Sequence, residues 1–362
     1  MNATSSNRRI YGQTTSLEKV AIFGHVLLLP FVVFWNTLTW PIYPESKEKP
    51  FNRHVHDVTL RHLLNLGIAQ VQYLSGPTSQ VYRAWAKKQN VPVVVEELGL
   101  NARLYWIGSK KSDRVIFYLH GGAYLLPMGE PALSFWKFIQ QELAKQGINV
   151  GIAVLEYTLY PDAQFPVPLS QAVSGLKHLL EDLGVSPQHI QLAGDSAGGN
   201  LVLQVISHIL HPVDNVPRIS LSTPLRGAYL VSPWVLLSDT QKYASYACTH
   251  DLWSYSTATK WGRAIVKDIP DVYTPYIQAL KAPHTWFRGV DQVVDRVLMT
   301  TGDLDLLKDT ITEFEPLFRT HHPHVELTIQ RNGIHDGPFF DSQSSEIALS
   351  SLRWFANGFK RN

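Results

Sequence analysis

The sequence predicts an α/β fold: a mostly parallel central sheet with helices on both faces and a helical cap. Three observations carry this. From about residue 91 onward, short apolar runs alternate with stretches whose apolar residues recur every three or four positions. Strand alternating with helix requires crossover connections, and therefore parallel strands covered on both faces. Two of the apolar runs end directly in glycine-rich turns, HGGAY at 120–124 and GDSAG at 194–198. The alternation is broken once, by an aromatic-rich excursion over 239–292 that reads as a cap, because long insertions in compact domains are usually functional.

The bulk numbers agree with a globular chain. At 362 residues there is length for a substantial core, and 45% hydrophobic with 17% charged residues is an ordinary balance. A net charge of +2 gives no electrostatic reason for a nucleic-acid partner. The single cysteine, Cys248, excludes an internal disulfide; that fits a cytosolic protein and also one facing the endoplasmic reticulum. Its setting, YACTHD, carries no nucleophile signature. Aromatic residues reach 11%. They fill a core, and where they cluster near chemistry they would line an apolar channel.

In chain order, residues 1–19 are a polar tail. Residues 20–43 (VAIFGHVLLLPFVVFWNTLTWPIY) form an apolar segment with Trp35, Trp40 and Tyr43 near one end. About 20 such residues span a hydrocarbon layer, and aromatic rings favour its interface. Two readings stand: a membrane anchor, which would put the protein on a membrane such as the endoplasmic reticulum, or an apolar helix packed on the domain of a cytoplasmic protein. Basic residues flank both sides, so orientation is open. Residues 44–88 read as N-terminal cap helices; within them Leu60, Leu63, Leu64, Ile68, Val71 and Leu74 lay one apolar face over a single helix at 57–74. The catalytic domain is expected over 89–238 and 293–362. Its strands are expected at 91–96, 102–107, 115–119, 150–157, 190–193, 228–231, 297–301 and 325–330, its helices at 133–146, 169–183, 197–211, 308–319 and 346–355.

The glycine-rich turns carry the chemistry. Gly194-Asp195-Ser196-Ala197-Gly198 leaves a strand and opens a helix. Small neighbours let the backbone turn sharply and hold the Ser196 hydroxyl out at the helix N-terminus, where free N–H groups and positive potential favour an oxyanion. Ala197 supplies one such amide. The other turn, His120-Gly121-Gly122-Ala123, lets the main chain approach a substrate carbonyl, with Gly121, Gly122 and also Ala123 as amide donors.

HGGAY, GDSAGGN about 70 residues later, YTLYPDAQFP at 157–166 and LVSPWVLLSD at 230–239 together resemble the hormone-sensitive-lipase-like branch of the α/β-hydrolases. GDSAGGNLVLQVISHILHP at 194–212, together with the apolar N-terminal segment, resembles fungal membrane-associated members, steryl acetyl hydrolases among them. The resemblance implies an α/β-hydrolase fold and a Ser, acid, His triad in that chain order. The acid is the first Asp of D-x-L-x-D, here Asp305, with Asp303 and Asp309 as competitors. The histidine follows the last strand, at His335; the family usually has Gly next, where this chain has Asp336, a second carboxylate able to perturb the imidazole. Asp195 and His120 support the motifs without reacting. His321, His322 and His324 precede that strand and read as loop histidines, not a metal site.

The expected function is hydrolysis of a carboxylic ester, a short acyl ester of a lipophilic alcohol such as a sterol or secondary metabolite, with no metal or organic cofactor. Two rivals remain at this stage: a natural-product enzyme using the same triad for release, cyclisation or condensation, and a non-catalytic membrane-bound binding protein. Oligomeric state is not encoded legibly.

Overall fold

The computed structural model describes residues 9–42, 50–238, 243–341, 343 and 345–360. Residues 1–8 of the polar tail, residues 43–49 and residues 239–242 at the start of the insertion lie outside the described residues.

Eight strands build one sheet: β1 (Val95–Gly99), β2 (Ala102–Ile107), β3 (Val115–Leu119), β4 (Gly151–Glu156), β5 (Ile190–Asp195), β6 (Gly227–Val231), β7 (Val297–Gly302) and β8 (Val325–Gln330), in the order β1-β2-β4-β3-β5-β6-β7-β8. β2 runs antiparallel to β1 and β4, and every other neighbour pair is parallel. The central strands are apolar on both faces. In β3, Val115, Phe117 and Leu119 enter one core while Ile116 and Tyr118 enter the other. That is the period-two consequence of a sheet covered on both sides.

The helices are α1 (Ser16–Thr39), α2 (Phe51–Leu64), α3 (Ile68–Ser75), α4 (Thr78–Gln89), α5 (Glu130–Lys145), α6 (Val167–Lys177), α7 (Ala197–Leu210), α8 (Tyr255–Val266), α9 (Thr274–Ile277), α10 (Lys308–Arg319), α11 (Gly337–Phe340) and α12 (Glu346–Lys360). α6, α7 and α10 bury their apolar faces in one core. α5 and α12 bury theirs in the other, where Trp136 meets Phe355 edge to face.

The expectations fail at three places, each for a local reason. The single helix at 57–74 is two helices, α2 and α3. Asn65 ends α2, and its side chain accepts from Thr257 Oγ1 (2.9 Å). Gly67 restarts the chain in extended backbone, with its amide held by Gln70 Oε1 (2.7 Å). The strand at 91–96 begins only at Val95, because Pro92 has no N–H for a ladder. The helix at 169–183 ends as α6 at Lys177, and its last turn widens so that the Leu183 amide reaches His178 O (3.0 Å).

α1 is apolar and largely bare. Phe23, Phe31, Phe34 and Trp35 are each 64–71% exposed, and Ile22 is its only buried residue. One narrow stripe packs on α2. His25 and His62 stack at 3.8 Å, each ring Nε2 meeting the other residue's carbonyl oxygen (2.7 and 2.9 Å). Asn36 is satisfied within the helix by Val32 O (2.8 Å). His25 and Asn36 are thus satisfied by protein, and most of the exposed surface of α1 beyond its first turn is hydrocarbon.

The β5–α7 junction sets the position of the site. A Cβ at Gly198 would lie 1.9 Å from Leu119 O, and one at Gly194 would lie 2.4 Å from Gly198 O. Both clashes are with backbone. Gly198→Ala is therefore expected to destabilise the protein by at least ~2–3 kcal/mol, the upper range for overpacking, or to prevent folding; thermal unfolding measures this, and an unchanged Tm would show that the junction can yield.

Candidate active site

Ser196 has φ 50 and ψ −116, a conformation that costs an L-residue of order 1–3 kcal/mol. The surroundings over-determine it. Its amide donates to Val231 O (2.8 Å), and its carbonyl accepts from Trp234 N (2.9 Å) and Asn200 N (3.0 Å). The turn leaves the hydroxyl facing a pocket. Ser196 Oγ lies 2.8 Å from His335 Nε2, and His335 Nδ1 lies 3.1 Å from Asp305 Oδ1. The three groups come from loops after β5, β8 and β7, at the carboxyl ends of parallel strands, where α/β sheets place their sites.

Asp305 is fully buried and held from two sides, by Thr301 Oγ1 (2.9 Å) and the Leu307 amide (2.9 Å). Its competitors are elsewhere. Asp303 is exposed, and Asp309 accepts from the Ser245 amide (2.7 Å). Burial would raise Asp305, but His335 and the bonds outweigh it and lower its pKa. Burial likewise opposes a charged imidazole, but the Asp336 and Asp305 carboxylates outweigh it and push His335 up to about 10.

The first glycine-rich turn divides its work differently from the sequence expectation. The Gly121 amide donates to Asp195 Oδ1 (2.9 Å), so Gly121 does not supply an oxyanion donor. A Cβ there would sit 2.1 Å from Asp195 Oδ2, which is why the position is glycine. Gly122 (φ 96) and Ala123 (φ 57) border the pocket, and their amides, like that of Ala197, have no acceptor among the described residues. Asp195 also accepts from Tyr118 OH, and so ties the serine turn to the first loop. Burial raises Asp195 to about 6 against these bonds. His120 is buried and stacks on Tyr157 (4.4 Å), whose hydroxyl donates to His120 O (2.8 Å). Burial lowers His120 to about 4, so it holds the loop as a neutral ring.

The pocket has a volume of about 300 Å³, at the lower end for small-molecule sites, and its walls are mainly apolar. Leu60 and Leu64 of α2, Trp253 and Trp261 of the insertion and Phe339 of α11 contribute. The Trp253 ring lies 5.0 Å from that of His335. The other insertion aromatics pack elsewhere, as Trp286 does on His211 (4.0 Å) and Phe287 on Phe318 (4.9 Å). His322 is buried and meets Val294 O (2.7 Å) through Nε2, while His321 meets His284 O. Among the described residues no group of His, Cys, Asp and Glu is arranged to hold a metal.

Residues 116–338 match the family described as alpha/beta hydrolase fold. The chain belongs to that family. The motifs of this α/β-hydrolase resemble those of the hormone-sensitive-lipase-like branch. Rabbit (Oryctolagus cuniculus) arylacetamide deacetylase is 28% identical to it over 206 residues, 52% of this chain and 51% of that protein. A Schizosaccharomyces pombe protein named "Putative steryl acetyl hydrolase mug81" is 24% identical over 257 residues, 66% of this chain and 63% of its own length. The chain thus spans about half to two thirds of these curated relatives. The solved structure of the HSL-homolog EstE7 from a metagenome library aligns with a TM-score of 0.59 at 20% identity, covering 78% of this chain and 92% of that one, which shows a common fold.

One important residue of this α/β-hydrolase escaped sequence reasoning. Asp251, from the insertion, is buried, and its carboxylate accepts three amides: His335 N (2.9 Å), Leu306 N (2.7 Å) and Leu252 N (2.7 Å). It therefore clamps the loop of the base to the loop of the acid. Arg61 of α2 donates to the Asp251 carbonyl (3.1 Å) and extends the clamp to the N-terminal helices. Burial, then the Asp305 carboxylate, raises Asp251 to about 6. Asp251→Ala strands three buried amides, each worth about 1–3 kcal/mol when unsatisfied. It is expected to lower kcat for ester hydrolysis at least tenfold with a smaller change in KM; steady-state kinetics that match the parent enzyme would remove the clamp from the account.

Proposed function

We propose that this α/β-hydrolase cleaves carboxylic esters through an acyl-enzyme on Ser196. The observation that carries the reading is the continuous relay from Asp305 through His335 to the Ser196 hydroxyl, beside backbone amides with no acceptor of their own. Ser196 attacks the ester carbonyl while His335 Nε2 takes its proton. Asp305 fixes the tautomer with Nδ1–H toward itself and steadies the imidazolium. The amides of Gly122, Ala123 and Ala197 receive the oxyanion; a single such donor is worth ~10²–10³ in kcat. His335 then protonates the departing alcohol, and water repeats the cycle on the acyl group. No step calls on a metal or organic cofactor.

The apolar pocket supports a short acyl ester of a lipophilic alcohol. About 300 Å³ holds a small acyl group and part of an alcohol; a sterol-sized alcohol would extend beyond it. The names of the rabbit and fission-yeast relatives agree with acetyl groups as the acyl part. Membrane association belongs to the same reading. α1 presents bare hydrocarbon, and α2, which it packs against, forms part of the pocket wall. A lipid-dissolved substrate would then meet the pocket one helix layer away from the bilayer. Endoplasmic-reticulum location is part of this proposal, with a removed signal segment as its competitor for residues 16–42.

Ser196→Ala is expected to cut kcat/KM for p-nitrophenyl acetate by ~10⁴-fold or more and to abolish labelling by a fluorophosphonate probe; retained turnover would contradict the nucleophile. On p-nitrophenyl esters of rising acyl length, kcat/KM is expected to be highest for acetyl to butyryl, and a maximum at long chains would contradict the size argument. The full-length chain is expected to float with phosphatidylcholine vesicles, and the double change Phe31→Asp, Phe34→Asp to release most of it; a parent protein that stays in the aqueous fraction would refute the anchor.

A further inference from the structure

The loop that carries His335 also presents an acid that the relay does not use. Asp336 follows it in left-handed backbone (φ 53, ψ 29), which Asp, Asn and Gly adopt most readily. Its amide donates to Ser232 Oγ (3.1 Å), which ties the residue to the end of β6. Its carboxyl borders the pocket that Ser196 faces. Oδ2 lies 3.4 Å from His335 Nε2, the nitrogen that meets Ser196 Oγ at 2.8 Å. That separation is long for a charge-assisted hydrogen bond. Oδ1 is buried with no hydrogen-bond partner among the described residues. A carboxyl oxygen left in that state is costly, and the cost is smaller for a neutral carboxyl than for a carboxylate.

The charges around Asp336 are almost all of its own sign. Asp195 at the end of β5, Asp305 after β7 and Asp251 from the insertion face it, with Tyr118 of β3 and Tyr229 of β6 nearby; His335 is the opposing group. Burial first, then these carboxylates, hold Asp336 well above the usual carboxylate range, while His335 pulls the other way. Since His335 is also shifted upward, the two groups compete for a proton. With that proton on Asp336, His335 is the free base that Ser196 needs.

We propose that Asp336 is a further catalytic residue whose carboxyl O–H donates a hydrogen bond to the alcohol oxygen of the bound ester. This rests on the ester-hydrolase reading and adds to it. In acylation the Oγ–C bond forms, the Ser196 proton passes to His335 Nε2, and from there to the alcohol oxygen as the C–O bond breaks. The Asp336 proton is shared with that oxygen and remains with Asp336, so the exchange is balanced. In deacylation the attacking water occupies the place of the alcohol, held by the same O–H, and gives its proton to His335. The hydrogen bond matters most for alkyl esters, whose alkoxides are poor leaving groups, and least for aryl esters.

The test compares kcat/KM for cyclohexyl acetate and p-nitrophenyl acetate across pH in the full-length enzyme, Asp336→Gly and Asp336→Asn. Gly suits the positive φ and removes the donor; Asn suits it and keeps an N–H donor that does not ionise. Asp336→Gly is expected to lose ~10–100-fold on cyclohexyl acetate and no more than ~3-fold on p-nitrophenyl acetate. Asp336→Asn is expected to stay within several-fold of the parent on both, and to lack the alkaline fall that the parent shows on the alkyl ester when Asp336 gives up its proton. Equal losses on both esters in Asp336→Gly would overturn the proposal. So would an alkaline fall on the alkyl ester that persists unchanged in Asp336→Asn. If Asp336→Gly fails to fold, the pH profile of Asp336→Asn decides. Turnover retained in Ser196→Ala would instead overturn the ester-hydrolase reading itself, whatever Asp336 does.

Discussion

A serine in a backbone conformation it would not choose is the constraint from which the rest follows. The chain must leave β5, turn within one residue and start α7, all within van der Waals contact of the end of β3. Carbonyl oxygens lie where side chains would be, at 1.9 Å from a Cβ on Gly198 and 2.4 Å from one on Gly194. The strain is repaid by three backbone hydrogen bonds at Ser196 and by Asn200, whose side chain donates to Trp234 O and Ile277 O (2.8 Å each). Apart from the Asn200 amide, which belongs to α7, these bonds tie the turn to β6, to the chain just after it or to the insertion.

Sheet order does the remaining assembly. Because β3, β5, β6, β7 and β8 are consecutive and parallel, their carboxyl ends lie side by side, and five loops converge without any long reach. They bring the Gly122 and Ala123 amides, Ser196, Ser232, Asp305 and His335 respectively. The insertion covers this row and also braces it. Asp251 joins the loops of β7 and β8, and Arg61 joins that brace to the N-terminal helices. A hydrocarbon-faced helix is thereby connected, through α2, to the row of Ser196, His335 and Asp305.

Much of this was legible in the sequence. Short apolar runs marked strands, since a strand buried on both faces is mostly apolar. Ser196 was visible because its turn demands glycines, and His335 and Asp305 because the family resemblance places an acid in D-x-L-x-D and a histidine after the last strand. What was hidden was non-local or stereochemical. Asp251 sits in a segment with no motif, and its value arises only when two distant loops meet it. Gly121 looked equivalent to Gly122, yet only the fold decides which amide turns to Asp195 and which stay free. The helix break at Asn65–Gly67 depends on Thr257, nearly two hundred residues away. The aromatic insertion suggested a channel, whereas of its rings only Trp253 and Trp261 border the pocket.

The central claim is that a covalent acyl group passes through Ser196. Acid-quenching the enzyme during turnover of p-nitrophenyl acetate, followed by peptide mass spectrometry, tests it most directly. The account predicts the added mass of one acetyl group on the peptide that contains Ser196 and on no other. Turnover with no adduct on that peptide, or with the acetyl group on a different side chain, would contradict it.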